Sequence, residues 1–289
     1  MTDRPDTRVV TACIDGSEIT GAVCDAAAWA GQTIPASVRL LHVLEWARTP
    51  SGDDLSGAIG LGSRSRLLEE LTALDETRGR LAMEHGRLLL ADAETRVEEQ
   101  GTKDVMTQQR RGDLLEALQD HEDQTRLFVL GRLGLDNEGR ERAVGSQIET
   151  VIRAIKRPVL MTVGDFAPPE HFMLAYDGSA AADKVIERVG RSPLLRGMSG
   201  HVVMVGDDSE AHRRQLQAAA DRLREGGHGI EHHLVQGKIV DALLAFAEQH
   251  AVGLTVMGAY GHSRFREFFV GSNTERMIAA SVQPLLLLR

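Results

Sequence analysis

The sequence predicts an α/β protein made of two parallel β-sheets in tandem, each with helices on both faces. Short, predominantly apolar runs, such as Leu254–Met257, alternate with longer segments of helical period, such as Ile239–Gln249. Such runs are typical of parallel strands that helices cover on both sides. The same succession occurs twice along the chain, so two copies of one α/β unit are expected.

Two pairs of similar segments mark the repeat. VTACIDGS at Val10–Ser17 is matched by MLAYDGS at Met173–Ser179, and RPVL at Arg157–Leu160 by QPLL at Gln283–Leu286. A chain of 289 residues is long enough for two domains that each bury a core. The stretch GDFAPPEH at residues 164–171 is typical of an exposed linker. We therefore expect a first domain at residues 1–165 and a second at residues 166–289.

In the second copy, five strands and two helices can be placed in chain order. The predicted strands are Phe172–Tyr176, His201–Val205, Glu231–Val235, Leu254–Met257 and Pro284–Leu288, and the predicted helices are Ala211–Arg224 and Ile239–Gln249. Right-handed crossovers through helices make such strands parallel. Ligands of open parallel sheets bind at the carboxyl ends of the strands, where the strand order reverses. The loops after the first, second and fourth strands are therefore candidate binding loops.

The first copy carries an insertion at about residues 47–94. It begins with a Gly/Ser-rich stretch and continues with leucines at mostly helical spacing, which are Leu67, Leu71, Leu74, Leu81 and Leu88. This pattern predicts an amphipathic helix or a helical hairpin, with Gly79 and Gly86 as bends. We expect the insertion to cover the sheet of its own domain. Shielding of the first binding loop and a dimer contact are the alternatives.

A glycine-rich loop follows the fourth strand of the second copy. Gly258, Gly261, Gly271 and Ser272 have the spacing G-x2-G-x9-G-S. Glycines let the backbone approach a ligand closely, and the N–H groups that begin the following helix attract an anion. The loop therefore predicts a phosphate-binding site.

The corresponding loop of the first copy is less suited to a phosphate group. Ten residues instead of nine separate Gly134 from Gly145, and their charges sum to one negative charge. The stretch His262–Val270 of the second loop carries Arg264 and Arg266 against one glutamate, and sums to one positive charge with histidine neutral. We expect preferential binding in the second copy, although solvent screening keeps the electrostatic difference modest.

Composition argues against several classes of protein. The net charge of −9 and the pI of about 5.7 argue against an extended surface for nucleic acid or anionic membranes. No apolar stretch approaches the roughly 20 residues that span a bilayer, and the first residues lack the apolar core of a signal peptide. We expect a cytoplasmic protein. Cys13 and Cys24 lack metal-ligand or redox spacing and are expected to be buried free thiols.

The aspartate at the end of the first strand, the G-x2-G-x9-G-S loop and the terminal Pro284–Leu288 strand together resemble the universal stress protein family. Both copies share the resemblance, which covers nearly the whole chain apart from the linker and the insertion. It implies a five-stranded parallel sheet of order 3-2-1-4-5 in each half and antiparallel pairing of the two last strands. It also implies ATP binding in members that keep the loop.

Transferred to the second copy, the resemblance implies a site for ATP, alone or with Mg²⁺. It places Ala175 and Asp177 beside the nucleoside and the Val205 backbone at the adenine. His262 and Arg264 add ionisable or positive groups in the intervening loop. The residues implied around the ribose and the phosphates are Met257, Gly258, Gly261, Gly271, Ser272 and Asn273.

Ser272 and Asp177 also have purely structural explanations. The sequence SNTE at residues 272–275 is a capping-box pattern, repeated as SQIE at residues 146–149. A cap and phosphate binding are compatible, because several N–H groups of the helix remain free. An aspartate before glycine at a strand end commonly forms a turn with its own backbone. The repetition of Asp177 as Asp15 leaves the turn and the nucleoside contact equally open.

The cluster His228, His232 and His233 suggests a zinc site, but the glycines around it break the helix that a His-x3-His pair requires. Neighbouring strand residues such as His232 and His233 point to opposite faces. We expect these histidines to be solvated.

The sequence contains no nucleophile with a paired base, no Walker lysine and no pair of glycosidase-type carboxylates. Efficient catalysis is not expected, and slow ATP hydrolysis remains open. The leading hypothesis is an ATP-binding stress or regulatory protein, with a homodimer as an open question. The alternative is a nucleotide-independent interaction module built from two paired domains. A related nucleotidylyl transferase or ATP pyrophosphatase is disfavoured, because the motifs H-x-G-H and S-G-G-x-D-S are absent.

Overall fold

The structure is a computed structural model. It describes the backbone of residues 8–44, 61–132, 146–259 and 270–289, and the side chains of residues 8–44, 70–132, 148–259 and 273–289. The predicted loop residues Gly134, Gly145, Gly261, His262 and Arg264 lie outside the described residues.

Strands and helices alternate through both halves. The first half contains β1 (Val9–Cys13), α1 (Thr20–Thr33), β2 (Val38–Leu44), α2 (Leu61–Glu99), β3 (Val105–Arg111), α3 (Leu114–His121), β4 (Thr125–Gly131), α4 (Ser146–Ala154) and β5 (Val159–Thr162). The second half contains β6 (His171–Ala175), α5 (Ala180–Gly190), β7 (Ser199–Val205), α6 (Glu210–Glu225), β8 (Gly229–Val235), α7 (Ile239–Gln249), β9 (Leu254–Gly258), α8 (Val270–Ala280) and β10 (Leu285–Leu288). Short 3-10 helices lie at Glu122–Gln124 and Pro193–Leu195.

The strands form one continuous ten-stranded sheet of order β3-β2-β1-β4-β5-β10-β9-β6-β7-β8. Each half has the predicted order 3-2-1-4-5, and all pairs within a half are parallel. The predicted antiparallel pairing of the last strands is also confirmed, because Leu160 of β5 pairs with Leu286 of β10. The two predicted sheets are therefore joined into a single mixed sheet.

This junction determines where the two sets of candidate loops lie. Strands are parallel within a half, whereas β5 and β10 run in opposite directions. The carboxyl ends of the first five strands therefore point to one edge of the sheet, and those of the last five point to the opposite edge. The two copies of the candidate site cannot merge into one.

Each face of the sheet has its own hydrophobic core, because successive strand residues point to opposite faces. On one face, α1, α2, α5 and α6 cover a cluster that contains Leu174 and Leu286. On the other face, α3, α4, α7 and α8 cover a cluster that contains Met173 and Leu285. Both clusters include residues of both halves, so the halves share their cores.

The predicted insertion forms the long helix α2, which runs from Leu61 to Glu99 without interruption. The hairpin alternative is wrong, and neither Gly79 nor Gly86 bends the chain into a second helix. The helix packs on α1, β2 and β3, as expected for a cover of its own sheet. Gly86 is buried there, and an added β-carbon would collide with the side chains of Gln109 and His42. Glycine thus permits close packing of α2 on the sheet.

Four leucines of α2 remain on its outer side. Leu71, Leu74, Leu81 and Leu88 are between 43% and 60% exposed. The predicted apolar pattern therefore reflects two surfaces, one packed on the sheet and one facing solvent. Among the described residues, no helix is long and apolar enough to cross a membrane.

We expect Leu286→Ala to destabilise both halves together. Leu286 is 2% exposed in the core that the halves share, and truncating a buried leucine lowers the free energy of unfolding by about 2–5 kcal/mol. Both tryptophans, Trp29 and Trp46, belong to the first half. The midpoint of urea unfolding followed by tryptophan fluorescence should therefore shift together with the midpoint followed by circular dichroism.

Val282→Ala is the matched control, because Val282 is 77% exposed just before β10. Its free energy of unfolding should change by less than about 0.5 kcal/mol. A fluorescence midpoint that stays constant in Leu286→Ala while the dichroism midpoint falls would show that the halves unfold independently.

Candidate functional site

The predicted strand-end residues of the second half lie at one edge of the sheet. Ala175 ends β6, Val205 ends β7, and Met257 with Gly258 ends β9. These strands are neighbours in the order β9-β6-β7, and the strand order reverses between β6 and β9. The structure thus brings these residues to the type of crevice at which open α/β sheets bind ligands.

The residues at this edge differ in burial. Ala175 and Val205 are half-buried against the α7 and α8 side of the sheet, whereas Met257 is buried. Gly258 is exposed and follows Met257 with no side chain of its own. A small residue, a strand-end backbone and a bare glycine therefore line the crevice.

Asp177 forms the turn that follows β6. Its Oδ1 atom accepts a hydrogen bond from the Ser179 N–H at 2.9 Å, and Gly178 has a φ of +74°, which disfavours any residue with a side chain. The structural explanation for this aspartate is therefore confirmed. Asp177 is exposed, and among the described residues Ser179 is its hydrogen-bond partner, so Oδ2 remains available for a ligand.

Helix α8 begins at Val270, which corrects the capping-box prediction. Gly271, Ser272 and Asn273 lie inside the first turn of α8 rather than before it, so Ser272 does not have the N-cap position. The N–H groups of a first helical turn have no partner within the helix and carry the positive end of its dipole. The backbone of residues 270–273 therefore offers anion-binding donors at this edge.

The two glutamates of the predicted capping boxes have another partner. Arg153 of α4 forms ion pairs of 2.5 Å with Glu149 of its own helix and with Glu275 of α8. The glutamates are about half exposed, so we expect these pairs to contribute little to stability. The pair of Arg153 with Glu275 nevertheless links α4 and α8, the helices that follow the two glycine loops.

The equivalent edge of the first half differs in its side chains. Cys13 and Val43 occupy the places of Ala175 and Val205. Burial, with a smaller effect of Asp15, raises the pKa of the Cys13 thiol to about 12. Cys13 is therefore a neutral thiol at physiological pH and is bulkier than the alanine of the second half.

Arg132 is a residue of the first glycine loop that sequence analysis did not single out. It is 7% exposed, and its Nη1 donates to the carbonyl oxygens of Ile278, Ala279 and Ser281 at 3.4, 3.3 and 2.5 Å. Burial lowers the pKa of its guanidinium group. A cation is favourable at the C-terminus of a helix, so Arg132 caps α8 from the other half.

The three histidines considered as a zinc site do not meet. His232 and His233 point to opposite faces of β8, since the ring of His232 lies 3.4 Å from Arg224 of α6 and that of His233 lies beside Phe246 of α7. His228 is buried against Phe172, so the expectation that it is solvated is wrong.

A cationic cavity of about 440 Å³ lies between the two halves. Its lining contains residues of both halves but none of the strand-end residues described above, and the basic ones are Arg8, Arg126, Lys156, Arg157, Arg188 and Arg191. Glu187 is the acidic residue of the lining. The excess of basic residues makes this cavity a second candidate site for an anion.

Comparison with known proteins matches both halves of the chain to the same family. The model of the universal stress protein family matches residues 7–162 and again residues 169–289. The universal stress protein Slr1230 of Synechocystis is 30% identical over 281 residues, which cover 96% of this chain and 98% of that protein.

Two solved structures of similar length share the fold. The structure of a universal stress protein from Archaeoglobus fulgidus matches with a TM-score of 0.69 at 18% identity, over 98% of this chain and 96% of that one. A putative universal stress protein from Pseudomonas aeruginosa matches with a TM-score of 0.62 at 16% identity, over 98% and 93%.

We expect Arg132→Ala to lower the free energy of unfolding by about 1.5–3 kcal/mol, the range for hydrogen bonds to charged groups. The loss arises because three carbonyl oxygens at the end of α8 lose a buried donor. Arg276→Ala is the control, since Arg276 is exposed and lies 3.9 Å from Asp241, and it should cost less than about 1 kcal/mol. Equal urea midpoints for the two variants would contradict the structural role of Arg132.

Proposed function

Because this chain belongs to the universal stress protein family, we propose that its second half binds ATP at the carboxyl ends of β6, β7 and β9. ATP occupancy would favour one conformation or assembly of the protein by differential affinity. The observation that carries this proposal is the meeting of these three strand ends, at the reversal of strand order, with a glycine loop that leads into α8.

In this proposal, the adenine, the ribose and the phosphates contact different residues of the crevice. The adenine lies against the backbone of Val205, and the nucleoside lies beside Ala175 and the free oxygen of Asp177. The ribose and the phosphates are held by main-chain N–H groups and small side chains, contributed by Met257, Gly258, Gly261, Gly271, Ser272 and Asn273. His262 and Arg264 supply positive charge, with or without Mg²⁺ bound to the phosphates.

The small side chains and free N–H groups support binding rather than catalysis. Main-chain donors at a helix start bind phosphate oxygens already in the ground state, and ground-state binding alone does not accelerate hydrolysis. Asp177 is committed through Oδ1 to its own turn. We therefore propose a binding and regulatory role in which any hydrolysis of ATP is slow.

We propose that the first half does not bind ATP with comparable affinity. Its loop is one residue longer and has the opposite net charge. Cys13 takes up space where the second half has Ala175. Arg132, which follows Gly131 at the start of that loop, donates a hydrogen bond to Ser281 after α8 of the other half, so its charge is engaged there.

A nucleotide-independent interaction module is the second candidate function. It is favoured by the outward leucines of α2, which the described part of the chain leaves exposed. Surface leucines on one helix stripe are typical of contact with another protein. In this alternative, residues 1–165 and 166–289 serve as paired domains that present the helix, singly or as a homodimer.

We expect Gly271→Glu to weaken ATP binding more than about tenfold, because a carboxylate in the first turn of α8 competes with the phosphates for the same donors. Gly145→Glu places the same charge in the loop of the first half and should change the affinity less than about twofold. Calorimetric titration of ATP and of Mg-ATP measures both. The absence of ATP binding by the unsubstituted protein would favour the interaction module.

The cationic cavity provides a control for the place of binding. If the phosphates bind there, Arg188→Gln with Arg191→Gln should weaken ATP binding and Gly271→Glu should not. The proposed site requires the reverse pattern.

Ala175→Leu tests the nucleoside end of the crevice. We expect it to weaken ATP binding more than about tenfold by filling the space beside the nucleoside, whereas Cys13→Leu makes the equivalent change in the first half and should leave the affinity unaltered. Thermal unfolding of both variants controls for general damage. Equal effects of both substitutions on ATP affinity would contradict the assignment of the site to the second half.

A further inference from the structure

A cluster of metal-ligating side chains lies on the α7 face of β7 and β8. It contains His201 of β7 together with Glu231 and His233 of β8. His250, which follows α7, and Phe246 close the cluster with their rings. Sequence analysis considered His233 but paired it with His228 and His232, which lie elsewhere.

The strand register brings the three ligating residues together. His201 pairs directly with Glu231 in the parallel β7–β8 ladder. Glu231 and His233 are two residues apart on one strand, so they share a face. The sequence signal for this cluster is a Glu-x-His pair on one strand with a histidine opposite it on the neighbouring strand. The signal becomes visible only when the strand register is known.

One atom of each side chain converges on a common point. His201 Nδ1 and His233 Nε2 are 3.2 Å apart, and one carboxylate oxygen of Glu231 lies 3.7 Å from the former and 3.5 Å from the latter. A zinc ion with tetrahedral bonds of about 2.0–2.2 Å holds its ligand atoms roughly 3.3–3.6 Å apart. The three atoms therefore match one triangular face of such a coordination tetrahedron.

We infer that His201 Nδ1, His233 Nε2 and Glu231 form a binding site for a divalent transition-metal ion of the zinc class. Two imidazoles and one carboxylate are a ligand set that suits Zn²⁺, whereas an all-oxygen set would suit Mg²⁺ or Ca²⁺. Three protein ligands leave the fourth position for water or another small ligand.

A hydrogen-bonded cluster without a metal explains the geometry less well. One imidazole can donate to the other at 3.2 Å, but the Glu231 oxygen lies at 3.5 and 3.7 Å from the two nitrogens, which is long for a hydrogen bond. It is nevertheless nearly equidistant from both nitrogens. A shared cation accounts for this position, because all three atoms would bind it at bonding distance.

Aromatic rings enclose the cluster on its α7 side. The ring of His250 lies 5.1 Å from that of His201, and the ring of Phe246 lies 4.8 Å from that of His233. The ring of His250 stacks on Phe246, with centroids 4.1 Å apart, and forms a wall beside the two ligating rings.

Access to the cluster is from one side. The side chains of His201 and His233 are 13% and 26% exposed, whereas that of Glu231 is 72% exposed. β8 is the last strand of the sheet, so an ion can enter from solvent past Glu231. The carboxylate would close over the ion after entry.

This site is separate from the proposed nucleotide site. Val205 lies four residues beyond His201 on β7, which is about 13 Å along the strand. Metal binding by the cluster therefore does not depend on the presence of ATP, and failure of either proposal leaves the other intact.

The test is titration of Zn²⁺ into the full, tag-free chain by calorimetry, with Co²⁺ as a spectroscopic probe. We expect binding of one ion and the intense visible bands of tetrahedral Co²⁺. His233→Ala should weaken Zn²⁺ binding more than about 100-fold. This loss exceeds the roughly 10–100-fold that follows when a residue hydrogen-bonded to a metal ligand is replaced. His232→Ala, on the opposite face of the same strand, should retain both the affinity and the Co²⁺ spectrum.

Glu231→Gln is the second variant, needed in case the histidine variants fold poorly. The Glu231 side chain is largely exposed, so its replacement should not disturb folding. We expect a clear loss of Zn²⁺ affinity with unchanged thermal unfolding in the absence of metal. The inference is overturned if the unsubstituted chain binds no Zn²⁺ at 100 µM (about −5.5 kcal/mol of binding free energy). Equal losses in His232→Ala and His233→Ala, or an unchanged affinity in Glu231→Gln, would also overturn it.

Discussion

The antiparallel pairing of β5 with β10 organises the whole molecule. Without this pairing, β5 and β10 would each be an edge strand with unpaired N–H and C=O groups. Pairing them removes these two edges and leaves β3 and β8 as the edges of the joined sheet. It also merges the hydrophobic clusters of the two halves into two shared cores, one on each face. The chain thereby becomes one structural unit built from two similar parts.

The same pairing gives Arg132 and Ala259, which correspond in the repeat, different surroundings. Because the halves run in opposite directions, the carboxyl edge of one lies beside the amino edge of the other. This proximity allows Arg132 to donate a hydrogen bond to the carbonyl oxygen of Ser281 at the end of α8. Arg132 has thus become part of the junction, whereas its counterpart in the second half, Ala259, has no charged group that could make such a contact.

Strand β7 illustrates how one element can serve two kinds of chemistry. Its carboxyl end contributes the backbone of Val205 to the proposed nucleotide crevice. Nearer its amino end, His201 meets Glu231 and His233 on the α7 face. In the two proposals, main-chain donors of the loops after the strands would bind phosphate, and side chains on a strand face would bind a metal ion. Rigid strands hold ligand atoms at fixed separations better than loops do.

The α/β class, the repeat and the position of the second glycine loop could be predicted from the residues alone, together with the strand order that the family resemblance implies. Apolar runs and glycine spacing are local patterns, so they are visible in the sequence. The single helix α2, the place of Ser272 inside α8, and the distant partners of Arg132 and of the His201 cluster became evident only in the folded chain. Those outcomes depend on strand register and on the junction between halves, and neither is encoded in any short segment.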